Sequence, residues 1–102
     1  MKYKVIILPN FEIDVDYIVR FYCEKNVSYV PKFLKNIKSS INSLKEFPER
    51  FSKIPELSQN SNLNIRQCVC DNYRVIYQIK NGVVYVLTIL GENLLNIDKL
   101  NI

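Results

Sequence analysis

The fold of this chain is decided by residues 65–90, which read IRQCVCDNYRVIYQIKNGVVYVLTIL. Three segments rich in β-branched and aromatic residues are separated there by two polar breaks, Asp71-Asn72 and Lys80-Asn81-Gly82. Such segments favour strands, and Asn-Gly favours a tight hairpin because both residues tolerate positive φ. The stretch therefore predicts a three-stranded antiparallel meander, and we expect the upstream residues to cover one face of it.

The upstream residues predict one strand and two amphipathic helices. Residues 1–8 alternate lysine with apolar side chains, as a strand does, and Pro9-Asn10 ends that strand. Residues 11–25 predict a helix, because apolar side chains recur there every three or four positions. These side chains are Phe11, Val15, Ile18 and Tyr22. Pro31 can open a second helix. The apolar face of that helix holds Phe33, Leu34, Ile37, Ile41 and Leu44.

The order of these elements predicts one α+β domain over residues 1–102. Two helices joined by the short link at residues 26–29 should form an antiparallel hairpin. The first strand must join the sheet, since a lone strand would expose unpaired backbone on its edge. We therefore expect a four-stranded sheet, made from the N-terminal strand and the meander, with both helices on one face.

The segments between and after these elements predict irregular structure. Phe47-Pro48 ends the second helix, and residues 49–57 predict a packed irregular segment. Residues 58–64 are the most polar part of the chain and predict an exposed loop. Residues 94–102 form a short tail of mixed composition.

The composition limits the classes of function. The chain has a net charge of +4 and contains no His. Without His, catalysis would have to use Lys, Arg, Tyr, Asp, Glu or Cys. The mild basic excess permits an acidic or nucleic-acid partner without requiring one. No apolar run is long enough for a signal peptide or a membrane span, so we expect a cytoplasmic protein that does not contact membranes.

Two groups of side chains allow both a functional and a structural interpretation. Cys68 and Cys70 share one face of a predicted strand, but no second pair or His completes a metal site. We interpret them as reduced packing residues and expect no metal and no cofactor. Lys32, Lys35 and Lys38 recur at intervals of three, where they could contact phosphates or an acidic protein. We favour the alternative that they form a solvated helix surface.

Several short motifs occur in a recognisable order along the chain. The opening strand Tyr3-Lys4-Val5-Ile6 is followed by a helix that runs into SLKEFPER at residues 43–50. Ile65-Arg66 and NYRVIY at residues 72–77 come next, before the hairpin. Over nearly the whole chain, this order resembles the RelE/ParE superfamily of toxins from bacterial type II toxin–antitoxin systems. The resemblance implies the α+β fold described above and a cognate antitoxin as partner.

The resemblance also implies a choice between two targets. The RelE-like branch of the superfamily cleaves messenger RNA on the ribosome, and the ParE-like branch poisons DNA gyrase. Phe47-Pro48-Glu49-Arg50 is more similar to the ParE-like branch, which implies a gyrase inhibitor that is not an enzyme. One alternative is a RelE-like, metal-independent and ribosome-dependent endoribonuclease. The other is a toxin fold that has lost its activity and serves as a binding module.

The nuclease alternative makes Arg74 and Arg66 the candidate catalytic residues. RelE-like nucleases use an Arg directly after the Tyr that opens the third strand, and Arg74 occupies that place. Arg66 could supply a second cation for the developing phosphorane charge. The Asp71-Asn72 break does not reveal whether both side chains share a face. RelE-like nucleases also carry a basic pair on the preceding strand, where this chain has Ile65 and Gln67.

The C-terminal passage departs from both branches. RelE-like nucleases carry basic residues plus a Tyr or His near this end, and ParE-like members often have a His- or Arg-rich tail. This chain continues with Gly91-Glu92-Asn93-Leu94-Leu95, after which Lys99 is the sole basic residue. The departure supports the interpretation as an inactive binding module.

The remaining expectations concern the phenols and the uncovered part of the sheet. Tyr73, Tyr77 and Tyr85 lie in the predicted sheet. A phenol with a pKa of about 10 is a poor base at neutral pH unless nearby cations lower that pKa. We interpret these residues as core or cross-strand partners. Because the helices cover one face, we expect an open second face and edge that could accept a strand or helix of the antitoxin.

Overall fold

A computed structural model describes residues 2–54 and 63–91 of the chain. Their elements are β1 (Lys4–Ile7), α1 (Pro9–Lys25), α2 (Tyr29–Ser43), a 3₁₀ turn (Pro48–Arg50), β2 (Ile65–Cys70), β3 (Tyr73–Lys80) and β4 (Val83–Gly91). The predicted order of elements, one strand followed by two helices and three strands, is confirmed. The loop predicted at residues 58–64 lies mostly outside the described residues, and the tail at residues 94–102 lies wholly outside them.

The four strands form one mixed sheet in the order β1-β4-β3-β2. β2, β3 and β4 pair antiparallel, as predicted for a meander. β1 joins them by running parallel to β4, with Lys4 opposite Val83 and Ile7 opposite Val86. The expectation that the first strand enters the sheet is therefore confirmed, and its neighbour is the last strand of the meander. β1 and β2 form the two edges.

The two hairpin turns of the meander have different backbone conformations. Asn81 and Gly82 have φ values of 53° and 75°. Positive φ at both central residues is what a type I′ turn requires, so the Asn-Gly prediction is confirmed. At the other turn Asp71 has a φ of 54°, whereas Asn72 is not in the left-handed region.

Both helices bury much of the apolar stripe that their sequences predict. α1 begins at Pro9 rather than at residue 11, because proline fits the first turn, where its missing N–H has no helical partner to lose. Phe11 and Ile18 are buried, and Thr88 of β4 donates a hydrogen bond to the carboxylate of Asp14. On α2, the members of the predicted face differ in burial. Phe33, Ile37 and Leu44 are buried, Ile41 is half-buried and Leu34 is exposed.

The sheet carries one apolar cluster on each face. On the helix side, Val75, Tyr77, Val84 and Val86 pack with the buried residues of α1 and α2, which confirms that both helices cover the same face. On the other side, four buried residues pack together: Ile54, Ile65, Ile76 and Leu87. The expectation of an uncovered second face is therefore wrong where these residues lie. The partly buried Leu8, Leu63 and Tyr85 pack against them.

A β-bulge in β4 changes which side chains of that strand point to each cluster. Ile76 lies opposite Thr88 and Tyr77 lies opposite Val86, so Leu87 has no partner on β3. Val86 and Ile89 both belong to the helix-side cluster, although they are three positions apart. Leu87 between them belongs to the other cluster. The extra residue thus resets the alternation of side chains along the strand.

Candidate functional site

The two candidate nuclease residues lie on opposite faces of the sheet. Arg66 pairs with Tyr77, which belongs to the helix-side cluster. Arg74 precedes Tyr77 by three positions on the same strand, and successive side chains of a strand point to opposite faces. The structure therefore does not bring Arg66 and Arg74 together at one site.

The Arg66 side chain forms hydrogen bonds with the chain that precedes β2. Its guanidinium donates to the backbone oxygens of Glu49 and Phe51, at 3.0 and 2.6 Å, and to the side-chain oxygen of Asn64 at 2.9 Å. Ile54 N–H donates to Ile65 O at 3.2 Å, so the same segment pairs with the outer edge of β2. The positive charge of Arg66 thus stabilises this junction.

Arg74 lies within the protein rather than on its surface. Arg74 is only 7% exposed, and its Nε donates a hydrogen bond to Gln67 Oε1 at 2.6 Å. Gln67 stands where RelE-like nucleases carry a basic residue, so a neutral acceptor here binds the arginine instead of adding a second cation. A phosphate from solvent has little access to this guanidinium.

Two phenols of the sheet, those of Tyr73 and Tyr77, have raised pKa values that favour the neutral form. Burial raises the pKa of Tyr77, whose hydroxyl donates to Pro48 O at 2.5 Å. Burial, followed by the hydrogen bond to Tyr22, also raises the pKa of Tyr73. Both shifts move the phenols further from use as bases at neutral pH. Tyr73 and Tyr77 pack in the helix-side cluster and Tyr85 packs against the other, which confirms their interpretation as packing residues.

A polar network that the sequence did not reveal joins α2 to the turn between β2 and β3. Tyr29 OH donates to the Asp71 carboxylate at 2.7 Å, and Asn36 Nδ2 donates to the same carboxylate at 3.2 Å. Burial and this hydrogen bond raise the pKa of Tyr29. The Asp71-Asn72 pair signals a turn in the sequence. No local pattern indicates that the Asp71 side chain has hydrogen-bond partners more than thirty positions away. The network fixes α2 against the meander.

Cys68 and Cys70 are packing residues, as expected. Cys68 and Cys70 are buried free thiols on the helix side, and Cys23 is an exposed free thiol on α1. Burial raises the pKa of Cys68, which favours its protonated form. Within the part of the chain that the structure describes, no group of three Cys, Asp or Glu side chains could hold a metal ion. No helix in residues 2–54 and 63–91 is long and apolar enough to cross a membrane.

An apolar groove runs between β1 and α2, and we call it the β1 groove. It is lined by Val5, Ile7, Leu34, Ile37, Lys38, Ile41, Asn42 and Lys45. Ile7 and Leu34 are 40% and 43% exposed, although both are large apolar side chains. Lys38 and Lys45 are exposed at its rim. The β1 groove therefore offers an apolar floor bordered by positive charge.

The outer edge of β1 faces this groove, and its backbone beyond Tyr3 has no strand partner among the described residues. Tyr3 N–H donates to Lys45 O at 2.7 Å, which closes the start of the edge. Because N–H groups alternate in direction along a strand, those of Val5 and Ile7 point to the same side as that of Tyr3. No strand among the described residues pairs with β1 on this side. Among the described residues, an edge without a strand partner therefore lies at β1, on the helix side rather than beside the second face of the meander.

Comparisons with known proteins point to one family and one fold. Residues 5–93 match a family model described as "ParE toxin of type II toxin-antitoxin system, parDE". Among solved structures, one chain from "Chromosomal ParDE TA system from P. aeruginosa" superposes with a TM-score of 0.70 at 13% identity. The match covers 88% of this chain and 96% of that one, and at such low identity it shows the fold alone. No curated protein matches the chain significantly.

Proposed function

This chain belongs to the ParE toxin family of type II toxin–antitoxin systems, and on that premise we propose that it inhibits growth by binding DNA gyrase until a cognate antitoxin neutralises it. The observation that carries the proposal is the family match over residues 5–93. The likeness of the fold to a chain of a solved ParDE system agrees with it.

The placement of the arginines favours binding over RNA cleavage. Cleavage without a metal requires a base for the 2′-hydroxyl, an acid for the leaving oxygen and cations for the phosphorane charge. Arg66 and Arg74 lie on opposite faces, and each already donates to neighbouring oxygens. Burial raises the pKa of Tyr73 and Tyr77, so these phenols are poorly suited to act as the base.

The β1 groove supports antitoxin binding at this edge of the sheet. Its open backbone can accept an extended segment by strand addition, and its apolar floor can accept alternate side chains of that segment. Lys38 and Lys45 at the rim favour acidic residues between the apolar ones. We therefore expect the antitoxin to present a segment in which apolar and acidic residues alternate.

Expression of the chain with and without the adjacent antitoxin gene tests the proposal. We expect growth arrest and broken chromosomal DNA with the chain alone, and rescue when the antitoxin is co-expressed. In a supercoiling assay, the purified chain should inhibit purified gyrase. Unaffected growth would contradict the toxin proposal and leave the inactive binding module.

The RelE-like alternative keeps one supporting observation, which is the position of Arg74 directly after Tyr73 at the start of β3. Primer extension on translated messages separates it from gyrase poisoning. Cleavage within codons, together with intact chromosomal DNA, would favour the nuclease. Arg74→Ala should then abolish toxicity while antitoxin binding is retained.

A further inference from the structure

Phe47 has a backbone conformation that its side chain disfavours. Its φ and ψ are 53° and 51°, in the left-handed region that Gly and Asn occupy most readily. A bulky residue is rarely found there. The following Pro48 adds a restriction, because a proline ring drives the preceding residue towards extended conformations. Phe47 is therefore strained both by its own Cβ and by its neighbour.

The surrounding structure holds this strained residue in place. Tyr77 OH donates to Pro48 O at 2.5 Å, and Pro48 is buried. Arg50 donates from its backbone N–H to Phe47 O at 3.1 Å and from Nη1 to Glu46 O at 2.9 Å. The chain on both sides of Phe47 is thus fixed by contacts that do not involve its ring.

The ring itself is presented to solvent. Phe47 is 71% exposed, so its aromatic surface contributes little to the core. Strain at an exposed position that the rest of the fold enforces is typical of sites that bind a partner. Phe47 is followed closely by Arg50, and both aromatic residues and arginine are enriched at protein interfaces.

Positive charge surrounds the ring on one side. The adjacent hollow is lined by Lys2, Asn42, Ser43, Lys45, Glu46, Phe47 and Arg50. The lining therefore contains three cations and one carboxylate, that of Glu46. The neighbouring Glu49 carboxylate accepts a hydrogen bond from Tyr3 OH at 3.1 Å. This charge balance selects an acidic partner over a basic one.

We propose that Phe47 anchors this toxin to its protein target, with the ring entering an apolar pocket that is bordered by carboxylates of the target. Lys2, Lys45 and Arg50 would contact those carboxylates, and with Phe47 they form what we call the Phe47 surface. The inference rests on the proposed function and adds the toxin surface and the chemistry of the partner. A single aromatic anchor favours a protein over single-stranded nucleic acid, which usually stacks on successive rings.

The Phe47 surface adjoins the β1 groove. Lys45 and Asn42 line both the groove and the hollow beside Phe47. An antitoxin segment that fills the groove as far as Lys45 therefore lies next to the Phe47 ring. Neutralisation then follows from steric exclusion of the target.

Phe47→Asn tests this inference, because Asn accepts the left-handed conformation while the ring is lost. We expect a melting temperature a few degrees above that of the wild type, since the strain is relieved. Growth arrest should disappear, and affinity for purified gyrase should fall by at least roughly tenfold, as for loss of an interface anchor. Antitoxin affinity should change by less than about threefold, as expected for a residue at the margin of an interface.

Two matched variants accompany this change. Tyr17→Gln removes an aromatic side chain on α1 that is 75% exposed, and it should leave growth arrest unchanged. Lys2→Glu reverses one charge of the Phe47 surface, and it should weaken gyrase binding more at low salt than at high salt.

Each contrary result overturns the inference in a different way. Wild-type growth arrest by Phe47→Asn would show that the ring does not bind the target. Loss of antitoxin binding together with toxicity would place the ring in the antitoxin interface. A lower melting temperature would show that the ring stabilises the fold. Messages cleaved within codons would make the partner a nucleic acid. If the wild-type chain itself caused no arrest, the proposed function would fail as well.

Discussion

Along β2 the outer backbone edge is occupied by residues of the same chain, whereas along β1, within residues 2–54 and 63–91, no strand pairs with it beyond Tyr3. Gln67 N–H donates to Ser52 O at 3.1 Å on the β2 side, and Arg66 secures that segment with its charge. On the β1 side the exposed cations Lys38 and Lys45 border an apolar groove. We therefore expect partners to bind at β1, because the β2 edge uses its polar groups within the chain and the β1 edge, in the part of the chain that the structure describes, does not.

Arg66→Ala should have the largest effect, because it removes the cation that secures the closed edge. Three acceptors would lose their donor: the backbone oxygens of Glu49 and Phe51 and the side chain of Asn64. We expect a loss of about 3 kcal/mol in the free energy of unfolding, measured by urea denaturation. Arg20→Ala is the control, since the Arg20–Asp16 pair is exposed and should contribute less than about 1 kcal/mol. Equal losses for both variants would contradict a special role for Arg66.

Leu34→Glu should have the next largest effect, on binding rather than folding. It places a carboxylate in the β1 groove, where we expect the antitoxin to present apolar and acidic residues. Antitoxin affinity measured by calorimetry should fall by about 2 kcal/mol, or roughly thirtyfold. Lys35→Glu, on the exposed side of α2, is the matched control. If both variants bind the antitoxin equally well, the open edge is not its binding site.

Tyr77→Phe should have a smaller effect on stability, because it removes one hydroxyl and leaves Pro48 O without this donor. We expect a loss of about 1–2 kcal/mol in the free energy of unfolding. The change also loosens the chain beside Phe47, so growth arrest should weaken while antitoxin binding is retained. A stability equal to that of the wild type would show that the bond does not hold this segment.

Alkaline pH should have the smallest effect, and Tyr29→Phe should reduce it. Burial, followed by the Asp71 hydrogen bond, raises the pKa of Tyr29 in the folded state above its unfolded value. Its contribution to stability is thus complete below about pH 10 and is lost as the pH rises further towards the folded-state pKa. Melting temperatures measured from pH 8 to pH 11 should fall at the alkaline end, and less steeply for Tyr29→Phe. Identical pH profiles would show that Tyr29 does not contribute.

The elements of the fold could be predicted because their signals are local. The Asn81-Gly82 pair and the apolar stripes of both helices depend on residues a few positions apart. The pairing of β1 with β4 joins residues about eighty positions apart, and no local pattern specifies it. The bulge at Leu87 was equally hidden, because the continuous apolar run of β4 shows no alternation that an extra residue could interrupt.

The candidate site was less predictable because its geometry depends on contacts between distant residues. Arg74 and Arg66 were visible as cations, but their opposite orientations follow from the pairing of Cys70 with Tyr73 across a two-residue turn. Phe-Pro carries no signal for left-handed backbone, since Phe47 is held there by hydrogen bonds on either side of it. The expected open face was wrong where Ile76 and Leu87 lie, because Ile54, which is distant in sequence, packs with them.

The parallel pairing of β1 with β4 has a consequence for the timing of synthesis. β1 precedes its partner residues Val83–Val86 by about eighty positions, so it is synthesised well before they are. Because the floor of the β1 groove is held by this pairing, a chain still being translated has no completed groove. We therefore expect the antitoxin to recognise the toxin only once β4 has emerged from the ribosome, so that protection and toxicity begin at the same moment.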